Sequence, residues 1–270
     1  MLKFFIASLF MVSFPAYGYE IIGRPEINTV SGVKGTGYLG RRFDINAIPY
    51  DNQAVNADDL PLSFDSREVQ AMPEIRDQGN CGSCWAFAAT RALEISLAKS
   101  SGNVLDLSEQ EMVSCETSAY KCEGGFMESA KFLLKGIASE ESWPYAAKSL
   151  RCKKLPKAAK AVKMKLLGSE EKQPTVEQIK SAILNYGSAF VTVAVGNTGW
   201  SGATGEIKGK GCDNEATNHM VVVVGWTFED QWIMGNSWGQ EWGNKGHALI
   251  KFGCANIGEE AGYVVAGDLL

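Results

Sequence analysis

Three side chains in this 270-residue chain have the types and order that could do covalent chemistry: the thiol of Cys84, the imidazole of His219 and the carboxamide of Asn236. Cys84 closes the stretch Gln78-Gly79-Asn80-Cys81-Gly82-Ser83-Cys84-Trp85, so it follows glycine-rich backbone and opens a helix-like run. A free cysteine is only a few per cent thiolate at neutral pH, so a nucleophilic one needs a group that stabilises its anion. The N-terminal end of a helix is one such group, and a protonated imidazole is another. His219 is one of only two histidines, and it begins the strand-like run Met220 to Val224, which would hold its ring rigidly. The side-chain oxygen of Asn236 could accept the second ring N–H and fix the tautomer, the orienting role in a triad. Zinc is the other chemistry open to Cys81-x-x-Cys84, but no second close Cys or His pair completes four ligands.

The Cys-Gly-Ser-Cys-Trp core, Asn218-His219 about 135 positions beyond the thiol, and then Asn236-Ser237-Trp238-Gly239 together resemble the papain family of cysteine proteases. The resemblance covers residues 60–270, and Trp242 and Gly243 extend it. It implies Cys84 as nucleophile, His219 as base and Asn236 as orienter, with the indole of Trp238 shielding the His219–Asn236 hydrogen bond from water. Gln78 and the backbone N–H of Cys84 would stabilise the oxyanion, roughly 3–4 kcal/mol per donor in comparable sites. In sites of this kind the thiol pKa falls to about 3–4. His247 stands where the family usually carries an aromatic residue, and is read as structural.

Six further expectations follow from the resemblance. Cys84 is the free member of an odd set of seven cysteines, the others pairing Cys81 with Cys122, Cys115 with Cys152 and Cys212 with Cys254. Gly124 and Gly125, lacking a Cβ, would let an extended peptide add as a strand. Phe126, Met127 and Met220 would line the pocket for the second residue before the scissile bond; the alternative for all three is ordinary core. With one inserted residue after Cys254, Glu260 falls at the floor of that pocket, where it could accept arginine; otherwise Glu259 and Glu260 are solvated loop charges. No histidine-bearing loop lies between Cys122 and Cys152, so cleavage within chains is expected rather than removal of C-terminal dipeptides. Partners are peptide or protein substrates and protein inhibitors of cysteine proteases, with no metal and no cofactor. Alternatives in other classes are an amide hydrolase or transglutaminase-like acyl transferase using the same Cys-His chemistry, and a silent homologue kept for binding.

Composition bounds the rest. A chain that is 45% hydrophobic and 21% charged can bury one large core or two smaller ones. The formal net charge of −5 offers no basic footprint for nucleic acid. Met1 to Gly18 carry Lys3, the apolar run Phe4 to Phe14, and Ala16-Tyr17-Gly18, which reads as a signal peptide. Export would place the chain in an oxidising space where disulfides persist, secreted or periplasmic, or lysosomal in a eukaryote, with no membrane attachment after removal of the signal. The absence of any Asn-x-Ser/Thr sequon leans towards a bacterial source.

Residues 19–59, with scattered glycines and an acidic end at Asp58-Asp59, read as a loosely structured pro-segment or linker; Leu60-Pro61-Leu62-Ser63-Phe64-Asp65 resembles the start of mature papain-family proteins, and that resemblance implies a pro-segment before it. The elements that must position the chemistry change character along the chain. Helices are expected from Cys84 to about Lys99, after the Ser108-x-x-Glu111 capping box, and from Phe126 to Lys135, stopped by Gly136. Beyond about residue 165 one more helix, opened by Thr175-x-x-Gln178 and ended by Gly187, precedes strand-like runs at Ala189 to Val195, Met220 to Val224, Gln231 to Met234 and His247 to Phe252. A helix-rich half followed by a strand-rich half predicts an α+β fold with two subdomains and a cleft between them.

Overall fold

A computed structural model describes residues 35–40, 48–196, 199–213 and 215–270. The signal-peptide reading of residues 1–18 and most of the pro-segment lie outside the described residues. The fold is α+β.

Four α-helices are described: α1 (Ser66–Val69), α2 (Cys84–Ser101), α3 (Glu109–Cys115) and α4 (Val176–Tyr186). A 3-10 helix covers Met127–Lys135, where the sequence suggests an ordinary helix. The nine described strands are β1 (Tyr50–Asp51), β2 (Phe64–Asp65), β3 (Ala159–Leu167), β4 (Ala189–Val193), β5 (Glu206–Ile207), β6 (His219–Trp226), β7 (Gln231–Gly235), β8 (His247–Lys251) and β9 (Ala261–Leu269). They form one sheet in the order β1-β3-β9-β4-β6-β7-β8-β5, with β2 pairing β6. The long β3 and β9 pair antiparallel; the sequence reading misses both, because lysines and glycines blur their alternation. No described helix is long and apolar enough to cross a membrane.

α2 is buried on every side from Cys84 to Ala98, because it lies between the helical part and the sheet. Its Trp85, Leu93, Ile95 and Leu97 are fully buried, each side chain contributing about 1.5–3 kcal/mol. The helix ends where Gly102 adopts φ 74°, donating its N–H to the Ala98 carbonyl, a conformation that suits glycine. α4 carries both halves of its capping box between Thr175 and Gln178. In α3, Ser108 Oγ accepts from Glu111 N, but the Glu111 carboxylate turns away to Ala138 N and Lys157.

Two apolar clusters flank the sheet, and β6 divides its residues between them by the period of two of a strand. Met220, Val222 and Val224 join α2, Met127 and Leu133 in the first, whereas Val221 and Val223 join Ile183 and Tyr263 in the second; beyond the register shift at Val223–Gly225, Trp226 also joins the second. The first cluster fixes α2 against β6. That packing brings the N-terminus of α2 to the start of β6.

Candidate active site

Cys84 is the first residue of α2, so its backbone N–H has no partner within the helix and the positive end of the helix dipole lies at the thiol. It is the free cysteine. The other six join Cys81 to Cys122, Cys115 to Cys152 and Cys212 to Cys254.

The base and its orienter come from the β6–β7 pair, whose antiparallel register sets Val222 opposite Gly235. His219 at the head of β6 therefore meets the residues just beyond β7. Its Nε2 lies 2.8 Å from Asn236 Oδ1, leaving Nδ1 without a hydrogen-bond partner among the described residues. Trp238 packs over the ring at 5.0 Å between centroids, itself held among Trp200 and Trp242. His247 sits opposite Gly235 on β8, with Nδ1 at 3.1 Å from the Lys245 carbonyl.

Gln78 is fully buried beside these residues. Its Nε2 donates to the Cys81 carbonyl at 2.9 Å, which leaves the second amide hydrogen for another acceptor. Its Oε1 accepts from Ser237 Oγ at 2.6 Å, and its backbone N–H donates to the Ser237 carbonyl at 2.9 Å. Ser237 thus joins Gln78 to the Asn236 segment, a role that the sequence motif alone does not reveal.

Residues 35–40 lie across the site, which differs from the loose segment expected there. Gly125 donates to the Gly37 carbonyl at 2.8 Å and accepts from Leu39 N at 3.0 Å; Asn218 O accepts from Gly37 N and Tyr38 N. The segment runs parallel to Gly125. Its glycines serve close approach rather than flexibility: a Cβ on Gly37 would lie 2.1 Å from the Gly82 carbonyl oxygen, and one on Gly125 2.5 Å from the Trp85 indole. Gly124 also lies close to the segment, where a Cβ would meet the Gly37 carbonyl oxygen at 2.7 Å, but it gives that segment no backbone hydrogen bond of its own. Its carbonyl accepts from Tyr120 and its N–H donates to Lys121 O, so its backbone is spent inside its own loop. Asn218 is a backbone acceptor for an extended segment that the sequence marks only by standing next to His219.

Phe126 is half-buried against the edge of Tyr120. Met127 and Met220 are buried in the same apolar cluster as Tyr38. The Tyr38 hydroxyl donates to Glu260.

Under this cover Cys84 and His219 lack the solvation that the expected thiolate–imidazolium pair would need. Both are 0% exposed. Burial pushes the Cys84 thiol up to about 12, against backbone hydrogen bonds from Met220, Trp85 and Gly37 that favour the thiolate. Burial likewise pushes His219 down to about 4, although the Asn236 bond acts in the other direction. Desolvation disfavours the charged form of each, so the covered site holds neutral thiol and neutral imidazole. No group of three or more His, Cys, Asp or Glu side chains suited to a metal occurs among the described residues.

The family model for papain family cysteine proteases matches residues 60–265. The chain belongs to the papain family. Among curated relatives it is 36% identical to mouse cathepsin K over 199 residues, covering 71% of this chain and 60% of that protein. It is 33% identical to a cathepsin L-like protein of Caenorhabditis elegans, covering 71% and 59%, and 34% identical to the cysteine proteinase COT44 of Brassica napus, covering 78% and 68%. The chain thus spans about 60% of the length of the first two. Among solved structures, digestive procathepsin L 3 of Tenebrio molitor larval midgut superposes with a TM-score of 0.71 at 30% identity, covering 81% of this chain and 73% of that one. Within this papain-family frame, Cys84 stands at the helix terminus and His219 at the strand head.

Proposed function

We propose that the chain is an exported cysteine endopeptidase made as a latent precursor, with residues 1–18 a signal peptide, 19–59 a pro-segment and 60–270 the peptidase domain. The observation that carries the reading is the 2.8 Å contact between His219 Nε2 and Asn236 Oδ1. It leaves Nδ1 as the ring nitrogen for the proton of Cys84.

Once the segment over the cleft leaves, water returns and the burial that holds both groups neutral is relieved. His219 then takes the thiol proton, and the thiolate attacks the peptide carbonyl carbon. The oxyanion takes hydrogen bonds from the Cys84 N–H and the second Gln78 amide hydrogen. Collapse breaks the C–N bond as His219 protonates the leaving amine. Water, deprotonated by His219, then hydrolyses the thioester. Gly125 supplies the strand-like N–H and C=O that would hold the substrate backbone, while Phe126, Met127, Met220 and Glu260 form the pocket region, with Gly124 shaping the loop beside it.

Latency is supported by the path of residues 35–40. They use the Gly125 and Asn218 hydrogen-bonding groups that an extended substrate would need, and the backbone of Gly37 lies against Cys84.

The test is labelling of Cys84 by a peptidyl epoxide, followed by product analysis on an unmodified polypeptide. Internal cuts with free carboxyl ends are expected, and none from Cys84→Ala. Transfer to added amines would instead favour the acyl-transferase reading, and stepwise dipeptide release would contradict endopeptidase action.

A further inference from the structure

Tyr38 ends in a phenol, and the backbone on both sides of it is pinned by Gly125 and Asn218. Its side chain is 5% exposed and packs in one apolar cluster with Met127, Ala130 and Met220. The ring thus meets apolar walls while the hydroxyl donates to the Glu260 carboxylate. Glu260 is itself fixed, since its N–H donates to Thr192 Oγ1 at 3.1 Å and its carbonyl accepts from Thr192 N at 3.0 Å. Burial, followed by the charge of Glu260, raises the phenol far above its ordinary pKa, so it stays a donor.

We infer that this pocket is built for a hydroxyl-bearing aromatic side chain, so that the enzyme prefers tyrosine to phenylalanine at the second residue before the cut. The inference rests on the endopeptidase reading and names the substrate class of that same site. An extended peptide pairing with the Gly125 N–H and C=O presents one side chain to this pocket, as Tyr38 does. Phenylalanine would fill the same walls and face the carboxylate with a ring edge in place of the hydroxyl that Tyr38 supplies, and a site that hydrogen-bonds a hydroxyl rejects the analogue lacking it. A guanidinium meets the same carboxylate, but without the ring that the apolar walls match.

The test uses the full chain after maturation and three peptides that differ only at that position: tyrosine, phenylalanine and O-methyltyrosine. Tyrosine should exceed phenylalanine in kcat/KM by about tenfold, the worth of one charge-assisted hydrogen bond. O-methyltyrosine, which has the oxygen but no proton to donate, should fall to the phenylalanine level or below. Glu260→Gln should shrink the ratio and Glu260→Leu should reverse it. A wild-type ratio of one or less overturns the inference even if neither variant folds, as does a ratio unchanged in Glu260→Leu. If none of the peptides is cut and Cys84 takes no epoxide label, the endopeptidase reading falls, and this inference with it. In the latent full chain, Tyr38→Phe and Glu260→Gln should each speed labelling of Cys84, and the double variant should gain no more than the larger single effect; additive gains would mean that the two residues act separately.

Discussion

Ser237 Oγ donates a 2.6 Å hydrogen bond to Oε1 of Gln78, joining residues 159 positions apart in the buried floor of the site. The bond sets which end of the Gln78 amide faces the helix terminus. With Oε1 held by Ser237, Nε2 must point towards Cys81 and Cys84.

Ser237→Ala should therefore free the Gln78 amide to rotate. The expected result is a fall in kcat of about tenfold with KM nearly unchanged, since the lost interaction serves the oxyanion. Ser237→Thr, which keeps the hydroxyl, should restore much of it. Steady-state kinetics on one peptide would check the split.

The two histidines should behave oppositely. His219→Ala should cost about as much activity as Cys84→Ala, because the proton transfers fail together. His247→Phe should leave turnover and change the acid limb of stability. His247 is pushed down to about 4, first by burial and then by Arg91 and Arg67. A folded-state pKa below the ordinary value contributes stability that is present above about pH 6.5 and lost as the pH falls through 4. The variant should accordingly lose less stability over that window than the wild type, measured by urea unfolding at pH 7 and pH 4.

Glu94 gives the opposite sign. Burial pushes it up to about 8, against a hydrogen bond from Leu107 N at 2.8 Å and the nearby Arg91. Its stabilising contribution is full below the ordinary carboxylate pKa and is lost as the pH rises through 8. Glu94→Gln keeps the acceptor for Leu107 and removes the titration. It should be more stable than the wild type at pH 9 and close to it at pH 5, by the same urea method.

Gly125→Ala puts a Cβ 2.5 Å from the Trp85 indole. Because the Gly125 N–H and C=O also hold the extended segment, displaced backbone should raise KM by about tenfold or more. The same change should loosen residues 35–40 and speed labelling of Cys84 in the latent chain.

Removing the bridge beside Cys84, as Cys81→Ser with Cys122→Ser, opens a loop of 41 positions. A loss of about 2–4 kcal/mol in unfolding free energy is expected. Chemical denaturation of the double variant would measure it.

The sequence by itself determined the local elements and pointed to the reacting groups proposed above. Thr175-x-x-Gln178 and Gly187 delimit α4 because capping satisfies backbone groups within a few residues, and the Cys84 motif with His219 and Asn236 carries its chemistry in residue type and order. Long-range pairing lay beyond that reading. Alternation in β3 and β9 is broken by Lys160, Lys163, Gly262 and Gly267, and only their partners across the sheet make them strands. The register of β6 on β7 decided that His219 and Asn236 meet. Only tertiary packing decided that the site is covered: Gly37 looks like a linker residue until Gly82 is close enough to exclude a Cβ, and Tyr38 gains its role from Glu260, 222 positions away. Burial then shifted Cys84 and His219 to their neutral forms, because desolvation depends on what surrounds a group in space, which neighbours in sequence do not specify.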